Sequence, residues 1–391
     1  MKKLNVGLIG AGWMGKTHSF CYKAQRQIFG PDPFIPILHT ICESNDNLAI
    51  KVQKEFGFEN YSSNWKDLVK NPEIDIIDIN TPNYLHYEIA KLAIEEGKHI
   101  YCEKPLTNSY KTALELANLA EQKGIKTLVG FNYIQNPAHF LARNIIDEDK
   151  LGNIHHFRGE MIADFLADPN LPHSWRNEIQ KAGSGIIGDT ASHVFSFFKH
   201  LTNKRIDEVY CHLNIYITER PKANEDNSLW SKNTNKEKIL IKNETDDKSI
   251  TLFKFENNGL GIIETSRVSN GNKNDIKYTI TGDKGAIRYS NEKINEIQFY
   301  DNNDILELRG FKKIEMGPFN EKFANFHPVA GLGIGYHDYK ILEVREFIEA
   351  IANKREAYPN FRWASDIQLI IDAAIKSSIE KRWVKLEELK K

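Results

Sequence analysis

Apolar and polar positions fall into two regimes along the chain. Up to about residue 130, short apolar runs alternate with segments of helical period. Leu4–Ile9, Ile37–Cys42, Ile74–Ile79, His99–Cys102 and Thr127–Gly130 read as strands. Met14–Arg26, Leu48–Phe56, Tyr87–Glu96 and Ser109–Lys123 read as helices, and Tyr61 opens a short segment ahead of Trp65–Lys70. This alternation predicts a parallel, doubly wound sheet with helices on both faces.

Beyond about residue 135 the pattern changes. A helix near Pro137–Asp147 leads into a strand near Ile154–Ala163, and Ile187–Leu201 reads as one helix. Strand-like runs then follow one another without helices: Glu208–Thr218, Ser249–Phe255, Gly259–Arg267, Asp275–Gly282, Ala286–Ser290 and Glu296–Tyr300. Such a succession predicts an antiparallel sheet. Helices near Tyr339–Asn353 and Ala364–Arg382 close the chain. The polar stretch Pro221–Lys248 reads as a solvated loop or hairpin extension without chemistry. The expected fold is α/β. A doubly wound domain occupies residues 1–130, and an α+β domain with an open, mainly antiparallel sheet occupies 131–391.

Composition narrows the function classes. The 391 residues are 41% apolar and 27% charged, enough for two hydrophobic cores. Lys plus Arg number 52 against 53 Asp plus Glu, a net charge of −1. No global field draws the protein to nucleic acid or an anionic membrane, and near-neutrality permits a homo-oligomer. Cys21, Cys42, Cys102 and Cys211 form no C-x-x-C pair, which argues against structural zinc and suits a reducing cytoplasm. The apolar stretch near the first residue is too short for a signal peptide. No run of ~18 apolar residues predicts a membrane span.

Gly10-Ala11-Gly12-Trp13-Met14-Gly15 follows a strand and opens a helix, the context in which a glycine-rich turn cradles a dinucleotide pyrophosphate. Glu43 ends the second strand, where a carboxylate accepts from ribose hydroxyls and repels a 2′-phosphate. That favours NAD over NADP. Thr81-Pro82-Asn83 and Glu103-Lys104-Pro105 end the next strands on the same sheet edge, where ligands bind. The Lys104 ammonium can stabilise a developing alkoxide. In a continuous helix Asp189 and His193 are i and i+4, so the carboxylate can orient an imidazole suited to proton transfer. A metal site on the same pair lacks a convincing third ligand.

Together these residues resemble the Gfo/Idh/MocA oxidoreductase family. The resemblance rests on Gly10–Gly15, Thr81-Pro82-Asn83 with His86, Glu103-Lys104-Pro105, Ser174-Trp175-Arg176 and Gly188-Asp189-x-x-x-His193. It implies a Rossmann domain followed by a substrate and oligomerisation domain, in a homodimer or homotetramer. Lys104 would contact nicotinamide and substrate, His193 would be the acid/base group, and Asp189 would bind a substrate hydroxyl or assist His193. Thr81, Pro82, Asn83, His86 and Glu103 would line the cofactor, with Trp175 and Arg176 near the nicotinamide. Asn132 would read substrate hydroxyls, and Asp164 is either a pocket residue or a surface one. Ser196 replaces the family's frequent Asp, so no named substrate transfers. The expected activity is NAD-dependent oxidation of a secondary hydroxyl of a sugar or cyclic polyol, or the reverse reduction. A glycosidase with bound NAD and a non-catalytic NAD or sugar sensor are the alternatives.

Overall fold

The computed structural model describes residues 2–30, 34–223 and 239–390. The chain starts with β1 (Lys2–Ile9), α1 (Trp13–Phe29), β2 (Phe34–Cys42), α2 (Asp46–Phe56), β3 (Asn60–Ser62) and α3 (Trp65–Lys70). It continues through β4 (Ile76–Ile79), α4 (His86–Glu95), β5 (His99–Cys102), α5 (Tyr110–Lys123) and β6 (Thr127–Val129). The six strands lie in the order β3-β2-β1-β4-β5-β6, and every pair is parallel. This is the doubly wound sheet that the alternation predicts. Its central strands are apolar on both faces, as a sheet covered on both sides requires: Val6, Leu8, Ile76, Ile77 and Ile79 are fully buried.

The middle of the chain supplies α6 (Pro137–Asp147), β7 (Ile154–Ile162), α7 (Ile179–Ala182), α8 (Ile186–Asp189), α9 (Ala191–Thr202), β8 (Ile206–Asn214) and β9 (Glu219–Pro221). It goes on through β10 (Leu240–Lys242), β11 (Lys248–Phe255), β12 (Gly259–Ser266), β13 (Asp275–Gly282), β14 (Gly285–Ser290), β15 (Glu296–Asp301) and β16 (Lys312–Glu315). The chain ends with α10 (Glu321–Ala324), α11 (Tyr336–Ala352), α12 (Phe361–Glu380) and β17 (Val384–Lys385). A nine-stranded sheet runs β16-β15-β14-β13-β7-β12-β11-β8-β17. Its pairs are antiparallel except β7 with β12. Burial alternates along β11 and β13, so one face carries the core. Phe198 of α9 packs against Phe157 of β7 and Phe253 of β11, with ring centroids 5.2 and 4.9 Å apart.

Two compact units result, Met1–Asn136 with Gly317–Asp366, and Pro137–Met316 with Ile367–Lys391. The contiguous division at residue 130 is therefore corrected: a late segment returns to the first unit. The reason lies on α11. Its stripe of Ile341, Val344, Phe347, Ile348 and Ile351 shares one core with Leu4, Val6 and Leu8 of β1 and Tyr22 of α1. A parallel sheet needs cover on both faces, and residues far along the chain complete it.

Candidate active site

The first unit builds a dinucleotide cradle at the carboxyl edge of its sheet. Gly10 has φ +94°, and a Cβ there would lie 2.7 Å from the Asn80 carbonyl oxygen. A Cβ on Gly15 would lie 2.1 Å from the Gly10 carbonyl oxygen, so only glycine lets α1 start so close to the turn. A Cβ on Gly12 would meet nothing within 4 Å, which leaves that side of the loop open to a ligand. Gly12 is also the N-cap of α1 and offers no side chain to the helix's first N–H groups. Glu43 stands beside the loop as its position predicts: Oε1 accepts from the Ala11 N–H at 2.5 Å and Oε2 from the Ser44 N–H at 3.0 Å. Trp13 is 63% exposed and stacks on Tyr336 with centroids 5.3 Å apart, while Met14 Sδ accepts from the Tyr336 hydroxyl at 3.5 Å.

The neighbouring strand ends carry the next residues. Thr81 Oγ1, Asn80 Oδ1 and Asn132 Nδ2 are buried and have no hydrogen-bond partner among the described residues. Buried polar atoms left this way call for a ligand or water. With the open Gly12, the uncapped helix and the Glu43 carboxylate, they fit a bound NAD. Pro82 and Asn83 lie at the same edge, ahead of α4. His86 departs from its expected cofactor contact. It is buried, and its ring nitrogens lie 2.8 Å from the Pro105 carbonyl oxygen and 2.9 Å from that of Thr81. Burial pulls its pKa down against the pull of the two carbonyls, and the ring straps the two edge loops together.

Glu103 also differs from expectation: its carboxylate turns inward. Oε1 lies 3.1 Å from His18 Nε2 and 2.5 Å from Lys340 Nζ, and Oε2 accepts from the Lys104 N–H at 3.2 Å. A Cβ on Gly130 would come within 2.6 Å of Oε1, so that glycine makes room for the carboxylate. His18 Nδ1 is 3.0 Å from each oxygen of Asp78, and its ring stacks on Tyr101 at 4.4 Å. Lys340 reaches Glu343 Oε2 at 3.0 Å, and the Tyr101 hydroxyl donates to the same oxygen. Burial raises the Glu103 pKa, but the Lys340 and His18 cations outweigh it and hold the carboxyl well below the usual range. Burial lowers the His18 pKa, yet the Asp78 carboxylate leaves it raised overall.

Sequence reasoning missed His18, Asp78, Lys340 and Glu343. A signal for them existed. Asp78 interrupts an apolar strand, and Lys340 and Glu343 sit on the same helical stripe as Val344 and Phe347.

The second unit holds the other candidate residues. The single helix expected over Ile187–Leu201 is corrected. α8 ends at Asp189, Thr190 separates the two pieces, and His193 lies in the first turn of α9. Asp189 and His193 therefore do not share one continuous helix face. Arg176 lies over the Trp175 ring at 4.4 Å. Burial lowers the Arg176 pKa, and the Asp189 carboxylate works in the opposite direction. Of the two readings of Asp164, pocket or surface, its contacts favour the surface one. Its Oδ2 accepts from Lys273 Nζ at 2.6 Å and from the Gly271 N–H at 3.1 Å, a surface ion pair. No cluster of three or more metal-ligating side chains occurs among the described residues.

For the stretch Pro221–Lys248, expected to be a solvated loop or a hairpin extension, β9 and β10 pair antiparallel across it, residues 224–238 lie outside the described ones, and its end is corrected from solvated to buried. Asn243, Thr245, Asp246 and Asp247 are buried. Asp246 accepts from the Gly185 N–H at 2.8 Å and the Ile187 N–H at 2.9 Å, which fixes the start of α8. Asp247 pairs with buried Arg267 at 2.9 Å, and Thr245 Oγ1 donates to the Arg176 carbonyl at 2.8 Å. Acidic side chains here meet backbone N–H groups rather than water.

Comparison with known proteins agrees with this arrangement. The profile of the oxidoreductase family with NAD-binding Rossmann fold matches residues 4–131, and that of the GFO/IDH/MocA C-terminal domain matches residues 140–288. Levoglucosan dehydrogenase from Pseudarthrobacter phenanthrenivorans is 37% identical over 389 residues, covering 100% of both chains. A solved structure of levoglucosan dehydrogenase with NADH and levoglucosan is 38% identical, with TM-score 0.91 over 98% of this chain and 99% of that one. Myo-inositol 2-dehydrogenase from Thermotoga maritima is 20% identical over 99% of both chains. The chain belongs to the Gfo/Idh/MocA family of oxidoreductases with an NAD-binding Rossmann fold.

Proposed function

We propose that this protein is an NAD-dependent dehydrogenase of a pyranose sugar, with an anhydrosugar of the levoglucosan type as the first candidate substrate. The observation that carries the reading is full-length similarity, at 37% identity, to a levoglucosan dehydrogenase. Bound NAD supplies the hydride acceptor. Gly10, Gly12 and Gly15 with the first turn of α1 receive its pyrophosphate, and Glu43 accepts from the adenosine ribose. Thr81, Pro82 and Asn83 line the ribose side, and Trp13, Met14, Trp175 and Arg176 serve the nicotinamide end.

Lys104 donates from Nζ to the reacting hydroxyl and stabilises the oxyanion as the carbinol C–H bond breaks. His193 takes the hydroxyl proton, and Asp189 binds a neighbouring hydroxyl or assists His193. Asn132 Nδ2, buried beside the cofactor edge, serves the sugar once NAD is bound. In the reverse direction the same groups return the proton to a keto sugar. Four buried cysteines, all free thiols, suit a reducing cytoplasm. The open face of the nine-stranded sheet exposes Tyr210 (37%), Ile250 (47%) and Leu260 (47%), apolar surface suited to a homo-oligomer interface.

The test is NADH formation, followed by absorbance, with levoglucosan, L-sorbose, aldoses and inositols. Oxidation of a sugar with NAD in preference to NADP is expected. Tight NADH binding without turnover of any sugar, in either direction, would overturn the reading.

A further inference from the structure

We propose that Lys340 is a positioning residue for the reaction: it is the buried counter-ion of Glu103, and through Glu103 it fixes the backbone of Lys104 and the start of α1. The inference rests on the function proposed above for the role of Lys104, but its geometry lies wholly within the first unit.

Three cofactor-facing segments converge on one buried cluster. His18 belongs to the helix that follows Gly10–Gly15, Asp78 stands two residues before Asn80, and Glu103 precedes Lys104. Asn80 Nδ2 donates to Asp78 Oδ1 at 2.7 Å, so the cluster reaches the edge of β4 as well. Both ring nitrogens of His18 face carboxylates, a position that an imidazolium satisfies with two N–H donors. Glu103 receives His18 and Lys340 on one oxygen and the Lys104 N–H on the other. Lys340 is fully buried, as is Glu343 beside it. Lysine so placed is rare unless paired, and among the described residues this one supplies the cluster's ammonium group.

Removing the Lys340 charge leaves Asp78 and Glu103 on a single imidazolium, and Glu343 with the Tyr101 hydroxyl. Glu103 then has two ways to relieve the excess charge: it takes up a proton, or it turns away to water. Either one releases its hold on the Lys104 N–H or on His18. The substrate-facing ammonium and the phosphate-facing helix then lose their common anchor. Arginine at 340 keeps the charge, but its planar fork does not reproduce the ammonium's contacts with Glu103, Glu343 and Tyr101.

The experiment is a double-mutant cycle on the full-length protein with Lys340→Met, Glu103→Gln and the double variant. NADH affinity is read by fluorescence titration, and kcat is expressed per NADH-binding site so that misfolded protein does not count. K340M is expected to lower kcat per site at least 10-fold and to weaken NADH binding. In the E103Q background, where position 103 carries no charge for Lys340 to neutralise, the same change is expected to cost less than 3-fold.

Losses that multiply across the cycle would overturn the proposal, as would wild-type kcat and NADH affinity in K340M. If K340M alone fails to fold while the double variant folds, the counter-ion role stands. If the double variant fails to fold where E103Q folds, Lys340 is a packing residue and the proposal falls. NADH affinity is measured without substrate. A protein that binds NADH but oxidises no sugar would therefore refute the proposed activity while the cycle still decides Lys340.

Discussion

Glu43 reaches back from the end of β2 to accept the Ala11 N–H at 2.5 Å, which places a negative charge against the glycine loop. Glu43→Ala is expected to weaken NAD binding about 10- to 100-fold, the worth of a charge-assisted hydrogen bond of ~1.5–3 kcal/mol. It is also expected to narrow the preference over NADP, and parallel titrations with the two cofactors check both effects. An unchanged NAD-to-NADP ratio would remove Glu43 from that role. Lys104→Ala and His193→Ala test the chemical step proposed above. Each is expected to lower kcat by about 100-fold or more while leaving NADH affinity within a few-fold of wild type. Stopped-flow turnover alongside NADH titration separates the two effects. These residues were legible in the sequence because glycine, a terminal carboxylate and Glu-Lys-Pro each follow an apolar run. The interior partners of Glu103 were not, since no local pattern says which buried charges will meet.

At the scale of elements, the start of α8 depends on a residue far along the chain, Asp246, which lies 59 residues beyond Ile187. The Asp246 carboxylate satisfies the N–H groups of Gly185 and Ile187 inside the core. Asp246→Ala orphans both donors and is expected to cost about 2–6 kcal/mol, at about 1–3 kcal/mol for each buried donor left unsatisfied. Loss of thermal stability with a fall in kcat is the expected pair of readouts, because the same helices carry Asp189 and His193. A D246A protein of wild-type stability would show that water replaces the carboxylate.

The buried histidine of α1 gives a pH signature. Burial lowers the His18 pKa, but the Asp78 and Glu103 partners raise it above the ordinary value in the folded protein. Its contribution to stability is therefore full below about pH 6.5, the unfolded value, and is lost as pH rises through the higher folded value. His18→Asn should flatten the fall in stability as pH rises above about 6.5, measured by urea unfolding. An equal fall in wild type and variant would assign the pH dependence elsewhere. Sequence periodicity located α8 and α9 but joined them, because a helical hydrophobic pattern continues across Thr190 while the backbone hydrogen bonding does not.

For the molecule as a whole, the homo-oligomer proposed above is assigned to the outer face of the nine-stranded sheet. Tyr210, Ile250 and Leu260 lie exposed on adjacent strands there. The protein is expected to run as a dimer or tetramer by light scattering, and Ile250→Glu with Leu260→Glu is expected to shift it toward monomer. A wild-type monomer at micromolar concentration would exclude that role for the face. No described helix is long and apolar enough to cross a membrane.

The sequence by itself determined the alternation that makes the first sheet parallel, the run of strands that makes the second mainly antiparallel, and the motif residues along the carboxyl edge. These follow from local period and local turn chemistry, which a short stretch of chain carries in full. Tertiary structure alone decided the return of α11 to the first core, the meeting of Lys340 with Glu103, and the capping of α8 by Asp246. Each joins residues far apart in the chain, and each is fixed by the requirement that buried apolar faces and buried charges find partners. Such a requirement acts on the folded whole, so no window of sequence expresses it.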